Sequence, residues 1–444
     1  MTDSRQAAFL GLLRMETDQS YSNLVLDKIF TEKKLSPRDK AFAGALFRGV
    51  LERKLTLDFI LSKYSRQSFE KTDKAVLTIL RIGVYQLKFM DSVPDSAAVN
   101  ESVGLARANR QAKAAGFINA VLRGFIRDGK ELCLPHKSRE EDLSIQYSCP
   151  AWLVWKWEKE YGEENTGGIL QKSLETPPLT IRVNTLKVTA QDLTAYLEEE
   201  GVTVLPTSLE NCLILQNAGE VPKLKAFQEG LFHVQDMASQ LAVKALDVRP
   251  GMTVLDLCAA PGGKSFTAAE YLNKKGEVLS FDLYPHKVRL IEDGARRLGI
   301  ENLKAAKADA MEFQREIPLA DRVLCDVPCS GLGIIRRKPE IKYKPQSDLQ
   351  AFPEMTAKIL NNAARVVKPG GILLFSTCTL NKDENEGPAT RFLKENCHFQ
   401  PLPLGPNFDI FKCKHLNEVT LLPQEQNTDG FFMAAFTRID QVRV

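Results

Sequence analysis

The run Val254-Leu255-Asp256-Leu257-Cys258-Ala259-Ala260-Pro261-Gly262-Gly263-Lys264 constrains the fold more than any other stretch of the chain. Its apolar start reads as a buried strand, and its glycines turn the chain into a helix over Ser265 to Leu272. The unit then repeats. Strands are predicted at Glu277 to Phe281, Leu303 to Ala308, Arg322 to Cys325 and Gly371 to Phe375. Strand–helix–strand alternation predicts a doubly wound, mostly parallel sheet with helices on both faces. In such a sheet ligands and reacting groups gather at the carboxyl ends of strands.

At 444 residues the chain exceeds one ordinary core, so two or three domains are expected. Residues 1–130 read as an all-α bundle: Ala41 to Leu61 and Val76 to Met90 place apolar residues at i, i+3, i+4 and i+7. Ser36-Pro37 and Ser92-Val93-Pro94-Asp95-Ser96 are helix starts, and the bundle ends near Asp128-Gly129. A second polar-helical stretch over 131–175 holds Trp152, Trp155 and Trp157, whose helical spacing predicts packing rather than a base-stacking platform. Pro177-Pro178 breaks the chain, and the strands and helix between Leu179 and Gln235 form a small α+β unit. The expected division is 1–130, 131–235 (helical linker plus small α+β domain) and 236–444.

Composition excludes several classes. With 44% hydrophobic and 26% charged residues the chain is an ordinary globular protein, and a formal charge of +3 leaves any nucleic-acid affinity to local clusters. Nine cysteines without regular spacing point to free thiols in a reducing compartment, and no His or Cys spacing suggests a metal site. No leader pattern or membrane-length apolar run is present, so a cytoplasmic protein with no membrane partner is expected; a monomer is also expected.

The turn Cys258, Ala259, Ala260, Pro261, Gly262, Gly263, Lys264 brings backbone N–H groups at a helix start close to a ligand. Asp282 closes the next strand and suits the hydroxyls of a ribose; Asp309 closes the third, within reach of an adenine amino group. G-x-G-x-x-G is absent, and with it the glycine spacing that admits a pyrophosphate. S-adenosylmethionine, which has no phosphate, fits this pattern better than a dinucleotide.

Two further strand ends carry thiols: Asp326-Val327-Pro328-Cys329 and Ser376-Thr377-Cys378. Carbon 5 of cytosine accepts a methyl group only after a thiolate adds at C6 and turns the ring into an enamine. Asp326 suits N3 and the 4-amino group, and Cys329 and Cys378 can divide nucleophile and base between them. Enzymes that methylate exocyclic amines commonly place an aromatic residue where Cys329 stands. Cys133, Cys149, Cys212, Cys325, Cys397 and Cys413 are expected to be buried, inert thiols, and Cys258 to pack beneath the cofactor turn.

These motifs, with Arg182-Val183-Asn184-Thr185, Val234-Gln235-Asp236 and Asp429-Gly430-Phe431-Phe432, resemble the RNA cytosine-5 methyltransferases from about residue 145 to the C-terminus. The N-terminal bundle, with Ala97-Ala98-Val99-Asn100-Glu101 and Gly116-Phe117-Ile118-Asn119-Ala120-Val121-Leu122-Arg123, is similar to the NusB-like domain of the bacterial Sun/Fmu branch, the 16S rRNA methyltransferases B. The resemblance implies a NusB-like RNA-binding bundle, an RRM-like α+β linker domain and a Rossmann-like class I methyltransferase domain. It implies Cys378 as nucleophile and Cys329 as the residue that assists product release. Cofactor contacts would fall on Cys258 to Lys264, Asp282, Asp309 and Asp326, and the substrate would be nucleotide C967 of 16S rRNA, naked or in a partly assembled small subunit. Ser265 and Thr379 stand where the family pattern has Thr and Ser; neither has an expected chemical role.

Arg336-Arg337-Lys338, Lys342 and Lys344 follow the Asp-x-Pro-Cys turn and are expected to contact phosphates, with Arg107, Arg110, Lys113, Arg123 and Arg127 extending that surface. The target base must leave its stack to reach a strand-end pocket, which favours single-stranded or unfolded rRNA. Other readings stay open: a different RNA (tRNA or large-subunit rRNA), a non-catalytic NusB-like RNA-binding factor, and a DNA cytosine-5 methyltransferase using Cys329. The last lacks Glu-Asn-Val and leaves Cys378 without a purpose.

Overall fold

The computed structural model describes residues 3–17, 22–33, 35–65, 69–312, 315–405 and 416–439. The chain forms two compact units, Met1–Glu175 with Ile335–Lys344, and Thr176–Ile334 with Pro345–Val444. Residues 131–175, which the sequence groups with the α+β segment, cluster with the bundle.

The first unit is helical. Ser36 accepts from Asp39 N–H at 3.2 Å and Pro37 opens the helix Pro37–Glu52, as its start signal predicts. The apolar run over 41–61 is two helices rather than one, Pro37–Glu52 and Lys54–Ser62, broken at Arg53. Lys74–Phe89 and Ala115–Arg127 bury Ile79, Ile82, Ile118, Leu122 and Phe125 against one another. Arg81 makes a two-pronged ion pair with Asp58 at 2.7 and 2.8 Å. Trp157 is fully buried, but Trp155 is 54% exposed: on the helix Ala151–Lys172 the two side chains lie on different faces.

The segment Ile335–Lys344 clusters with this unit and not with the residues on either side of it in sequence. Lys342 Nζ donates to Glu52 O at 2.9 Å, and the Tyr343 hydroxyl donates to Leu51 O at 2.8 Å. This corrects the expected phosphate surface. Arg336 and Lys342 are buried, and of the five cations only Lys344 is exposed. Burial lowers the Lys342 ammonium to about 8. Arg107, Arg110, Lys113, Arg123 and Arg127 are exposed.

The second unit opens with β1 (Leu179–Val183), β2 (Thr203–Pro206), β3 (Cys212–Gln216) and β4 (Phe232–Val234), an antiparallel sheet in the order β2-β3-β1-β4. Helices Ala190–Glu199 and Lys225–Gln228 complete a ferredoxin-like βαββαβ unit. It is tied to the helices Gly263–Leu272 and Pro285–Leu298. Arg182 Nε donates to Glu270 Oε2 at 3.0 Å with both side chains buried, and Asn184 Nδ2 donates to Gly230 O and Leu298 O at 2.8 Å each. The Arg182-Val183-Asn184 motif is thus an internal anchor.

The larger sheet holds β5 (Thr253–Asp256), β6 (Glu277–Asp282), β7 (Leu303–Lys307), β8 (Ala320–Asp326), β9 (Val367–Thr377), β10 (Phe399–Pro401), β11 (Glu418–Leu421) and β12 (Phe431–Arg438). Their order is β10-β12-β9-β8-β5-β6-β7, with β11 on β12; β9 to β7 are parallel and β12 runs antiparallel to β9. Side chains alternate between the faces, as strand geometry requires. Val254, Leu324 and Leu374 join one core with the helices Gly263–Leu272 and Pro285–Leu298. Leu255, Val323 and Phe375 join another with Phe352–Ala364. The first strand of the parallel set, β5, lies between β6 and β8, so the strand order reverses there and a crevice opens at the carboxyl ends.

Candidate active site

Every residue singled out as chemical in the sequence lies at or just past the carboxyl end of β5 to β9. Asp256 is level with Leu324 and Ser280, Asp282 with Lys307, and Asp326 with Ser376. The Cys258–Lys264 turn leaves β5, Asp309 lies two residues past β7, and Cys329 and Cys378 follow the adjacent strands β8 and β9.

The two thiols meet. Cys329 Sγ lies 3.4 Å from Cys378 Sγ, and both side chains are half-buried. Their turns are held by a buried polar network. Ser330 N–H donates to Glu384 Oε2 at 2.7 Å, the Ser330 and Thr379 hydroxyls share a bond of 2.7 Å, and Asn385 Nδ2 donates to Thr379 O at 3.0 Å. Gly333 N–H donates to Cys378 O and Gly430 N–H to Gly333 O, both at 2.9 Å. A Cβ at Gly333 would lie 1.9 Å from Gly430 O, so only glycine admits this approach. The pairing of Thr377 with Phe432 brings the Asp429-Gly430-Phe431-Phe432 motif to the same end of the sheet.

Beside the thiols, Lys264 Nζ donates to Asp326 Oδ2 at 2.7 Å, and Ser376 Oγ donates to Asp326 Oδ1 at 2.8 Å. Burial works against the Lys264 charge, but Asp326, by charge and hydrogen bond, outweighs it and raises the ammonium. Phe431 lies beneath the same ammonium, 5.3 Å from ring centre to Nζ. The Cys329 thiol is held well above its usual range, first by its hydrogen bond with Cys378, then by burial, then by the charges of Cys378, Glu384 and Asp326.

The β5 turn suits the amino-acid end of S-adenosylmethionine. Gly262 sits at φ +110°, and the helix Gly263–Leu272 has no side-chain cap, so its first N–H groups are available to a carboxylate. Behind the turn, Ser265 Oγ donates to Asp256 Oδ2 at 2.7 Å, and Gln235 accepts from Thr267 Oγ1 at 2.8 Å. Burial raises the Asp256 carboxyl to about 7. Asp282 Oδ1 accepts from Tyr284 N–H at 3.1 Å, and Asp309 Oδ1 from Met311 N–H at 2.9 Å. Asp309 borders a shallow, solvent-open cleft walled by Leu257, Phe281, Ala308 and Ile317, with Glu312 also on its lining.

Ser265 and Thr379, with no expected chemical role, are the hydroxyls that fix Asp256 and Ser330. Glu384 and Asn385 lie outside the motifs the sequence singles out; the polar run Asn381-Lys382-Asp383-Glu384-Asn385 straight after a strand-end cysteine is the signal that marks them. Of the cysteines expected to be inert and buried, Cys149, Cys212 and Cys325 are, whereas Cys133 and Cys397 are exposed because each sits in a polar surface connection. Cys413 lies outside the described residues. Cys258 is half-exposed at the turn, and burial drives its thiol far up.

Residues 243–437 match the family described as 16S rRNA methyltransferase RsmB/F, 2–127 the NusB family, and 149–222 the ferredoxin-like domain of RsmF/B-like methyltransferases. Among curated proteins, the probable ribosomal RNA small subunit methyltransferase B of Bacillus subtilis (strain 168) is 35% identical, covering 98% of this chain and 99% of that protein. Its counterpart in Synechocystis sp. is 32% identical over 98% of this chain and 99% of that protein. Among solved structures, the crystal structure of PH0851 superposes with a TM-score of 0.84 at 26% identity, covering 99% of each chain. A NusB-type bundle, a ferredoxin-like unit and a Rossmann-like sheet ending in two opposed thiols place the chain in the ribosomal RNA small subunit methyltransferase B family of S-adenosylmethionine-dependent RNA methyltransferases.

Proposed function

We propose that this chain methylates carbon 5 of a cytosine in 16S rRNA, C967 by the family resemblance, through a transient bond between Cys378 and C6 of the base. The observation that carries the reading is the 3.4 Å contact between Cys329 and Cys378 at the ends of adjacent strands, beside the Asp326–Lys264 pair. The relatives named as small-subunit rRNA methyltransferases support 16S rRNA as the substrate.

S-adenosylmethionine, when bound, supplies an electrophilic methyl group on its sulfonium sulfur. The uncapped start of the helix Gly263–Leu272 would take its carboxylate, Asp282 its ribose and Asp309 its adenine. Asp326, kept in place by Lys264 and Ser376, accepts from the 4-amino group of cytosine and from N3 once protonated. The Cys378 sulfur, in contact with Cys329, gives up its proton and attacks C6 as the thiolate. The resulting enamine makes C5 a nucleophile.

The release step follows from what holds the Cys329 proton. Two of the causes that raise this thiol, the hydrogen bond with Cys378 and the Cys378 charge, vanish once Cys378 sulfur is bonded to carbon. Cys329 then ionises more readily, at the stage where a base must take the C5 hydrogen and free Cys378. One neighbour thus switches the other from proton holder to base.

The test is transfer of tritiated methyl from S-adenosylmethionine to 16S rRNA by the full chain, with the product nucleoside identified. The expected product is 5-methylcytidine, lost by at least about a thousandfold in Cys378→Ala while cofactor binding survives. Label on another nucleoside, or near-normal transfer by Cys378→Ala, would overturn the reading.

A further inference from the structure

We propose that Cys329 and Cys378 close into a reversible disulfide when a hydroperoxide reaches the site, and that closure switches methyl transfer off. Closure rests on geometry alone; the switching-off rests on the roles given to the two thiols above. The pair stands apart from the other sulfurs of the strand ends. Cys258 and Cys325 also lie near each other, but Cys325 is fully buried and out of an oxidant's reach. Cys329 and Cys378 are both half-exposed and in contact at 3.4 Å.

Closing the pair needs an approach of about 1.4 Å, from 3.4 Å to the usual disulfide length. Side-chain rotation can supply this, because the turns carrying the sulfurs are already tied together through Ser330, Thr379 and Glu384. The chemistry balances with hydrogen peroxide as oxidant. The Cys378 thiolate attacks one peroxide oxygen, the O–O bond breaks, hydroxide leaves and Cys378 becomes a sulfenic acid. The Cys329 sulfur then attacks the sulfenic sulfur, the S–O bond breaks, and a second water forms with the thiol proton. Two thiols lose two electrons and peroxide is reduced to two waters. A lone sulfenic acid is exposed to further oxidation to the sulfinic acid, which dithiothreitol does not reverse. A partner thiol in contact intercepts it and preserves the nucleophile in a recoverable form.

The test uses the full chain, reduced and freed of reductant, exposed to a small excess of hydrogen peroxide and quenched with an alkylating agent. Peptide mass mapping should show one cross-link, joining the Cys329 and Cys378 peptides with loss of two hydrogens. Methyl transfer to 16S rRNA should fall at least about tenfold and return with dithiothreitol. In Cys329→Ser the same treatment should carry Cys378 to the sulfinic acid. Sulfinic acid at Cys378 of the unaltered chain without a cross-link, or a cross-linked chain that transfers methyl as before, would overturn the proposal. The cross-link is read without RNA, so its failure is told apart from a wrong substrate, which shows as no transfer by the reduced chain.

Discussion

A thiol raised mainly by its neighbour reports on that neighbour. At Cys329 the largest upward cause is the hydrogen bond with Cys378, with burial second. Replacing Cys378 by alanine removes that bond and the Cys378 charge, leaving burial, Glu384 and Asp326 to act. The pH at which Cys329 becomes alkylated should therefore fall. The rate of iodoacetamide labelling at Cys329 against pH, followed by peptide mass mapping, should have its midpoint at a lower pH in Cys378→Ala than in the unaltered chain. An unmoved midpoint would mean that burial alone holds the proton. Sequence spacing places both cysteines at strand ends, but it carries no information on sulfur–sulfur contact. That contact depends on β8 and β9 being neighbours and on Gly333 letting two backbones meet, both products of the tertiary fold.

At the scale of elements, the strands that deliver the site were legible because each is a short apolar run bounded by glycine, proline or aspartate. The predicted strand at Leu303 to Ala308 and the observed β7, Leu303–Lys307, differ by one residue. The helix break at Arg53 was not legible, since apolar spacing continues across it. Nor was the role of Arg182, because a strand pattern does not say which carboxylate a buried cation meets. That partner is Glu270, whose carboxyl burial raises to about 7 against the pull of Arg182. The folded chain therefore holds a proton here that the unfolded chain releases, and stability is lost as pH rises from the ordinary glutamate value to about 7. In Arg182→Met the carboxyl rises further and the loss extends to higher pH. Urea unfolding should show Arg182→Met less stable by about 3 kcal/mol at pH 8, with a smaller deficit at pH 6. A deficit that does not grow with pH would contradict the ion-pair account.

On the scale of the whole molecule, the charged run after Cys329 was the least legible feature. Arginine and lysine in a proline-containing loop look like a solvated, RNA-facing surface, yet Ile335–Lys344 is a piece of the helical unit. What decides this is Tyr343, whose hydroxyl lies 2.8 Å from Leu51 O, 3.2 Å from Glu52 O and 3.0 Å from Ser148 Oγ. None of these partners is near it in sequence. Tyr343→Phe should leave those groups short of a donor and destabilise the helical unit by about 1–3 kcal/mol, seen as a lower urea midpoint for exchange of its core amides. An unchanged midpoint would show that the segment is not part of that unit's stability. The division into a bundle, a small α+β unit and a doubly wound sheet, by contrast, was readable from periodicity, because helix and strand repeats differ over whole domains.

In the proposed reaction sulfur bonds to the base and Cys329 governs its release. The most direct measurement is a denaturing gel of full-length Cys329→Ala incubated with 16S rRNA and S-adenosylmethionine. A slow-migrating protein–RNA adduct is expected, one that survives denaturation and disappears when Cys378 is also replaced by alanine. No adduct with Cys329→Ala, or an adduct that persists without Cys378, would contradict it.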